Sequence, residues 1–165
     1  MKQPQADDSS PTPTDFMPHD NFHRPPQPSR WEHFDHDADM GIRGIAPTLA
    51  QAFEQAATAL TAVVTDPEGL TPSENVAIHL ANADPEILFL DWINELIFQM
   101  ASRRLLFGRY RVAIADGELT ATASGEAVDV ARHQPAVEIK GATFTELRVY
   151  QNSGGLWVAQ CVVDV

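Results

Sequence analysis

The sequence predicts an α+β fold in which two helices pack on a mostly antiparallel or mixed β-sheet. Two stretches carry apolar residues at the 3.6-residue spacing of helices, whereas other stretches alternate or are continuously apolar, as strands are. Along the chain the predicted order is strand, helix, strand, helix and then several strands. This order, with both helices in the first part and hairpin signals in the second, is typical of α+β domains.

The first predicted elements are a strand, a helix and a second strand. The first strand is expected to start at Trp31 and the chain to turn at Gly41. Residues 47–64 repeat apolar side chains at helical spacing and predict an amphipathic helix with its proline in the first turn. A run of Asp, Pro, Glu and Gly at 66–69 is expected to end it. Residues 74–82 alternate apolar and polar side chains, which predicts a strand.

The second helix has the clearest start signal. Asp84 can cap the helix, Pro85 suits the first helical position, and the helix dipole favours Glu86 in the first turn. The helix is predicted for residues 85–102. Because apolar residues cover most of its surface, it is expected to be buried on more than one side.

Strand signals dominate the rest of the chain. The dipeptide Asp116-Gly117 is a strong hairpin signal and joins strands predicted at 106–115 and 118–124. Further extended segments are predicted at 136–140, 143–151 and 156–164. The last of these is apolar on both faces except at Gln160, which indicates a central position in the sheet.

Residues 1–30 are predicted to be a disordered, proline-rich tail. They contain seven of the twelve prolines and few apolar residues, so they cannot bury enough surface to offset the entropy lost on ordering. The folded domain is therefore predicted to span residues 31–165.

The net charge of the chain indicates which classes of molecule it can bind. Eleven Lys and Arg residues stand against 23 Asp and Glu residues, which gives a formal net charge of -12. Proteins that bind nucleic acids need positive charge to displace the counterions around phosphates. Direct, strong nucleic-acid binding is therefore not expected, and a cation or a basic protein is the better partner.

Features of membrane and secreted proteins are not evident in the sequence. No stretch approaches the roughly twenty apolar residues of a membrane span, and no signal-peptide pattern is apparent. The single cysteine, Cys161, excludes an intramolecular disulfide, and its apolar neighbours indicate that it is buried. A cytoplasmic location is expected.

The segment from His33 to Asp39 holds three carboxylates and two imidazoles in seven residues. If it is extended throughout, the odd positions, including Asp35 and Asp37, share one face of the strand. The even positions from Phe34 to Ile42 share the other face, which is nearly all apolar and is predicted to join the core. Open solvent, raised pKa values or a bound cation would relieve the repulsion among the carboxylates.

The last two residues are the second unusual feature. A buried-looking strand runs to the end of the chain, so Asp164 and the terminal carboxylate of Val165 are expected together at a sheet edge. Calcium and magnesium prefer carboxylate and carbonyl oxygens. These two carboxylates therefore resemble part of the set of oxygen ligands that binds a hard cation such as calcium or magnesium.

One run of residues carries a resemblance to a known family. Residues 35–43, Asp-His-Asp-Ala-Asp-Met-Gly-Ile-Arg, resemble the signature Asp-His-Thr-Ala-Asp-x-Gly-Ile-Arg that opens the archease family. The later pieces follow in the family's order: Trp92-Ile93-Asn94-Glu95-Leu96, Gly125-Glu126, Glu138-Ile139-Lys140, Thr143 and Asp164-Val165. The resemblance covers residues 31–165.

This resemblance implies an accessory protein rather than an enzyme. Archeases activate RtcB-type RNA ligases of tRNA splicing, by promoting guanylylation of the ligase and its multiple turnover. Two alternatives remain open at this point. One is a metal-dependent hydrolase that uses the same carboxylates to hold an activated water, and the other is a chaperone of an RNA-modifying methyltransferase.

The resemblance also implies a divalent-cation site, with calcium as the expected ion. Carried over residue by residue, its ligands are Asp39, Asp164 and a terminal oxygen of Val165. Four residues are expected to support this site or to contact the partner: Asp35, His36, Glu95 and Lys140. The sequence departs from the family at Asp37, where a threonine is usual, and at Gly141-Ala142, where a bulkier pair is common.

Simpler roles for three of these residues are left open. In the simpler role, the aliphatic part of the Lys140 side chain packs along the edge of the sheet with its ammonium group in solvent. Alternatively, the ammonium group contacts an anion, either the acidic cluster or a phosphate. Glu95 lies four residues after Asp91 and so shares a helix face with it, which is equally the pattern of a solvated stripe. His36 is expected to have an orienting or structural role.

Overall fold

The computed structural model describes residues 28–165, and the tail predicted at 1–30 lies almost wholly outside the described residues. The predicted α+β fold is confirmed. Its strands divide into two antiparallel sheets, and the described part of the chain contains no parallel pairing. The first strand begins at Arg30, one residue before the predicted start.

The first sheet has five strands. They are β1 Arg30–His36, β2 Asp39–Ala46, β6 Gly141–Ala142, β7 Arg148–Gln151 and β8 Trp157–Asp164. Their hydrogen-bonded order is β1-β2-β8-β6, and β7 also pairs with β8. Since β8 pairs with three strands, it takes the central position that its apolar sequence predicts. Its one polar core residue, Gln160, is buried and accepts a hydrogen bond from Arg43 Nε at 2.9 Å.

The second sheet has three strands. They are β3 Glu74–Ala81, β4 Leu105–Ala115 and β5 Glu118–Ala127, in the order β3-β5-β4. The predicted hairpin between β4 and β5 is confirmed. Both Asp116 and Gly117 have positive φ, at 51° and 75°, as the favoured two-residue hairpin turn requires.

Two long helices and one short helix accompany the sheets. They are α1 Leu49–Val64, α2 Pro85–Arg103 and α3 Val130–His133. The first starts two residues later than predicted because the Thr48 hydroxyl accepts a hydrogen bond from the Gln51 amide and caps it. The second starts at the predicted proline. Within residues 28–165, none of the helices combines the length and the apolar character that a membrane-spanning helix requires.

The segment between β5 and β8 differs most from its prediction. Residues 136–140 do not form a strand, and the strand predicted for 143–151 is reduced to β7. The Val162 amide instead donates to the Thr145 carbonyl at 3.0 Å, so the irregular segment before β7 still binds β8 without a regular ladder. The four-residue helix α3 was not predicted, because one turn is too short for a helical period to show.

The core lies between the sheets, where α1 packs on β2 and β8 of the first sheet and on β4 of the second. A fully buried tryptophan of α2, Trp92, joins the two long helices by donating from Nε1 to the Phe53 carbonyl at 3.1 Å. Its ring meets Tyr110 edge-on at 6.1 Å. The Tyr110 hydroxyl shares a 2.6 Å hydrogen bond with Thr61, and burial raises the pKa of this phenol.

The contact between α1 and β2 depends on a glycine. A Cβ atom at Gly44 would lie 2.0 Å from the Ala52 carbonyl oxygen and 2.4 Å from the Ala56 amide nitrogen. Both obstacles are helix backbone, so neither can rotate away. The absence of a side chain at this position therefore sets how closely the helix approaches the sheet.

Replacing Gly44 by alanine is expected to lower the free energy of unfolding by about 1–3 kcal/mol, because the helix must move off the sheet. Urea denaturation followed by circular dichroism measures the change. The matched control is Gly69→Ala, where an added Cβ meets nothing within 4 Å and a change below about 0.5 kcal/mol is expected. Equal losses in both variants would contradict the close-packing argument.

Candidate cation site

The first hairpin turns at Asp37 and Ala38, and the prediction of a turn at Gly41 is wrong. Asp37 has a φ of 51°, in the left-handed region that short polar side chains tolerate better than most. Gly41 lies inside β2, directly opposite Phe34. The phenylalanine ring fills the place of the missing side chain, since a Cβ there would lie 2.3 Å from the ring. This glycine is needed for space and not for a turn.

The position of the turn also overturns the predicted faces of the segment 33–39. Residues directly opposite each other in an antiparallel pair point to the same side of the sheet. His33 is opposite the buried Ile42, and its Nε2 is 2.8 Å from the Ala59 carbonyl of α1, so it faces the core side. Asp39 points to the other side, because the two-residue turn breaks the alternation on which the prediction depended.

The same register places three of the predicted residues in one row. His36 is directly opposite Asp39 in the pairing of β1 with β2. In the pairing of β2 with β8, Met40 is opposite Val163, so the next residues outward, Asp39 and Asp164, are neighbours. Cβ atoms of such cross-strand neighbours are about 4.5–5.5 Å apart. His36, Asp39 and Asp164 therefore lie side by side at one end of the sheet.

The terminal residue reaches the same place. The Val165 amide nitrogen lies 3.5 Å from Asp39 Oδ1, which brings the terminal carboxylate close to the two aspartates. Both aspartates and Val165 are half-buried. Among the described residues, no three His, Cys, Asp or Glu side chains are arranged to hold a metal ion. The row of His36, Asp39 and Asp164 is thus not by itself a set of metal ligands, and a site here would also need the carboxylate of Val165.

These three groups fit a hard divalent cation. They offer only carboxylate oxygens, which are the donors that calcium and magnesium prefer. A cleft of about 180 Å³ adjoins two of these residues, since Asp39 and Val165 line it together with Val63 and Val137. Donor chemistry and placement are thus compatible with a bound cation.

The predicted supporting residues divide into two groups. His36 joins the row, whereas Asp35 is opposite Met40 and points to the other side of the sheet. The Lys140 backbone amide donates to the Asp164 carbonyl at 2.8 Å, and its exposed side chain forms no ion pair within residues 28–165.

Glu95 is not beside the row. Its carboxylate accepts a hydrogen bond from Gln99 at 2.7 Å, and Gln99 in turn accepts one from Arg103 at 2.6 Å. These contacts run along the surface of α2, which agrees with the solvated stripe left open by the sequence.

One positioning residue was missed by the sequence analysis. The Asn94 side chain, on α2, accepts a hydrogen bond from the Ala142 amide at 2.9 Å. Ala142 belongs to β6, whose other residue, Gly141, is paired with Asp164. Asn94 therefore ties the helix to the strand next to the acidic row. In the sequence, the only indication of a role for Asn94 is that it belongs to the segment Trp92-Ile93-Asn94-Glu95-Leu96, which resembles the archease pattern.

A second charged cluster lies elsewhere in the molecule and was also missed. His133 Nε2 lies 2.8 Å from Glu126 Oε1, and Arg132 contacts the same oxygen. The hydrogen bond from His133, with help from Arg132, holds the pKa of the Glu126 carboxyl below its usual value. The His133 Nδ1 atom accepts from the Asp129 amide at 2.8 Å. The cluster fixes α3 to the end of β5, which is a structural role.

Comparison with known proteins decides the family. The model of the Archease protein family matches residues 31–165, which is most of the chain. The chain belongs to the archease family. The resemblance drawn from the sequence is confirmed.

Several archeases and one solved structure illustrate the relationship. The archease of Thermococcus gammatolerans is 36% identical over 140 residues, covering 82% of this chain and 99% of that protein. The archease of Pyrococcus furiosus is 34% identical with the same coverage. The solution structure of Methanobacterium thermoautotrophicum protein 1598 superposes with a TM-score of 0.73 at 30% identity, covering 82% of this chain and 98% of that one.

Proposed function

We propose that this protein activates an RtcB-type RNA ligase of tRNA splicing, by promoting guanylylation of the ligase and its multiple turnover. In this role it supplies no catalytic group for bond formation. Membership of the archease family supports the proposal. The net charge of -12 also supports it, because an acidic accessory protein is suited to a protein partner and not to gripping RNA directly.

The observation that carries the proposal is the meeting of Asp39, Asp164 and the Val165 terminus at one end of the first sheet. Three carboxylates placed this close repel one another, and a divalent cation removes the repulsion. Asp39, Asp164 and a terminal oxygen of Val165 would hold this ion, which we expect to be calcium. When bound, the ion supplies a positive centre within an acidic surface.

The surrounding fold holds these ligands in place. Asp39 and Asp164 lie at the ends of neighbouring paired strands, so their backbone positions are set by the ladder between β2 and β8. The hydrogen bond from the Lys140 amide restrains the Asp164 carbonyl, and Asn94 anchors the adjacent strand to α2. A site on paired strands can be presented to a partner with little loss of conformational entropy.

The proposal is tested by multiple-turnover RNA ligation with the ligase limiting. Adding this protein is expected to increase the number of turnovers per ligase, and to increase transfer of labelled guanylate to the ligase. Asp39→Asn is expected to lose most of this activation, because it removes one charge from the site. The control is Asp35→Asn, which removes the same charge from an exposed residue on the other side of the sheet.

Two results would contradict the proposal. Turnover that is unchanged by the wild-type protein would remove the activating role. Equal losses in Asp39→Asn and Asp35→Asn would show that activation depends on total charge and not on the acidic row.

A further inference from the structure

A polar cleft lies on the second sheet, away from the acidic row. One side of this sheet is buried, through Val76, Ile78 and Ala123 among others, whereas the other side is largely exposed. On the exposed side there is a cleft of about 650 Å³. Residues that line it include Pro72, Asn75, Arg109, Arg111, Thr122 and Ser124. Its volume falls within the range typical of small-molecule sites.

The register of the sheet directs these side chains to the same side. Asn75, Ser124 and Arg109 are directly opposite one another across the three strands, and Thr122 and Arg111 are opposite each other two positions along. Arg109 and Arg111 are two residues apart on β4, so their Cα atoms are roughly 6–7 Å apart along the strand. The ladder between β4 and β5 is irregular immediately before Arg109, and such irregularities often redirect side chains beside binding sites.

The two arginines carry charge that the described residues do not neutralise. Arg43 forms an ion pair with Glu32, and Arg132 with Glu126. Neither arginine of the cleft forms an ion pair within residues 28–165, and none of the residues lining the cleft is acidic. The cleft is therefore a local site of positive charge on an acidic protein.

We propose that this cleft binds a nucleotide that carries two or more phosphate groups. Guanidinium groups stay charged at all relevant pH values and present planar pairs of donors that match phosphate oxygens. Two neighbouring guanidinium groups can contact two consecutive phosphate groups at once, so a polyphosphate suits the cleft better than a ligand with a single carboxylate or phosphate. The Ser124 hydroxyl donates to Asn75 Oδ1 at 2.6 Å, so the Asn75 side-chain NH₂ group and the Thr122 hydroxyl supply the hydrogen-bonding groups that a ribose or a base requires. This proposal is independent of the cation site, which lies in the other sheet.

Isothermal titration calorimetry of the full, metal-free chain tests this inference, since nucleotides would otherwise compete for bound metal. We expect adenosine triphosphate and inorganic triphosphate to bind and adenosine not to bind. The double variant R109Q/R111Q is expected to weaken nucleotide binding by at least about tenfold, because it removes two charge-assisted contacts. In NMR spectra, nucleotide should shift the amide signals of Asn75, Thr122 and Ser124.

The control is R103Q/R148Q, which removes the same charge from two exposed arginines outside the cleft. It is expected to bind within about twofold of wild type, because long-range charge effects are screened by salt. No binding of adenosine triphosphate at millimolar concentration would overturn the inference, as would equal losses in the two double variants. Binding of a 3′-phosphorylated RNA oligonucleotide without binding of free nucleotide would also overturn it. Circular dichroism confirms that the variants remain folded.

Discussion

Replacing Trp92 by alanine is expected to lower the free energy of unfolding by about 3–5 kcal/mol. The side chain is fully buried, joins α1 to α2 through its hydrogen bond to the Phe53 carbonyl, and contacts the Tyr110 ring. Its removal leaves a cavity between the two helices and the second sheet. Since whole domains are stable by only about 5–15 kcal/mol, this is a large fraction of the total. Urea denaturation at equilibrium measures the loss.

Two further variants separate the causes of this loss. Trp92→Phe keeps an aromatic ring but removes the indole donor, so a smaller loss of about 1 kcal/mol is expected from the hydrogen bond. Phe98→Ala makes an aromatic-to-alanine change on the same helix at a residue that is 61% exposed, and a change within about 0.5 kcal/mol is expected. A loss at Phe98 as large as that at Trp92 would contradict the assignment of the core.

If the proposed site binds calcium, the ion is expected to stabilise the wild-type protein by about 2.7 kcal/mol at one hundred times its dissociation constant, because the site exists only in the folded chain. The carboxylates of Asp39 and Asp164 come together only when β2 pairs with β8, so the unfolded chain does not hold the ion comparably. Asp39→Asn is expected to lose at least about 1.4 kcal/mol of this stabilisation, the equivalent of tenfold weaker binding. Thermal unfolding with increasing calcium, compared with magnesium, measures both effects.

Asp35→Asn again supplies the control, because it removes one charge from a residue that points away from the row. Its stabilisation by calcium should match that of the wild-type protein. A wild-type protein that neither cation stabilises at millimolar concentration would argue against the site. Full loss in the Asp35 variant would show that calcium acts on overall charge instead.

The site could be identified from the sequence only as a set of residues. Asp39, Asp164 and Val165 were selected by the family pattern, and the structure brings them together. How they meet was not predictable from periodicity. Asp39 would point to one face of the sheet if the chain turned at Gly41 and to the opposite face if it turned at Asp37. Glycine and aspartate are both common in turns, so the residue types do not distinguish the two cases. In the folded protein the ring of Phe34 occupies the space above Gly41. This packing places Gly41 inside β2 and leaves the turn at Asp37.

The class of fold, both long helices, the β4–β5 hairpin and the family could all be predicted from the amino-acid sequence alone. Each of these depends on local chemistry: apolar spacing, caps, turn residues or a run of adjacent side chains. Three features became apparent from the three-dimensional structure: the division of the strands into two sheets, the close approach of α1 to β2 at Gly44, and the row of His36, Asp39 and Asp164. These features depend on register and close packing between segments far apart in the chain, and a shift of one residue reverses every side chain in a strand.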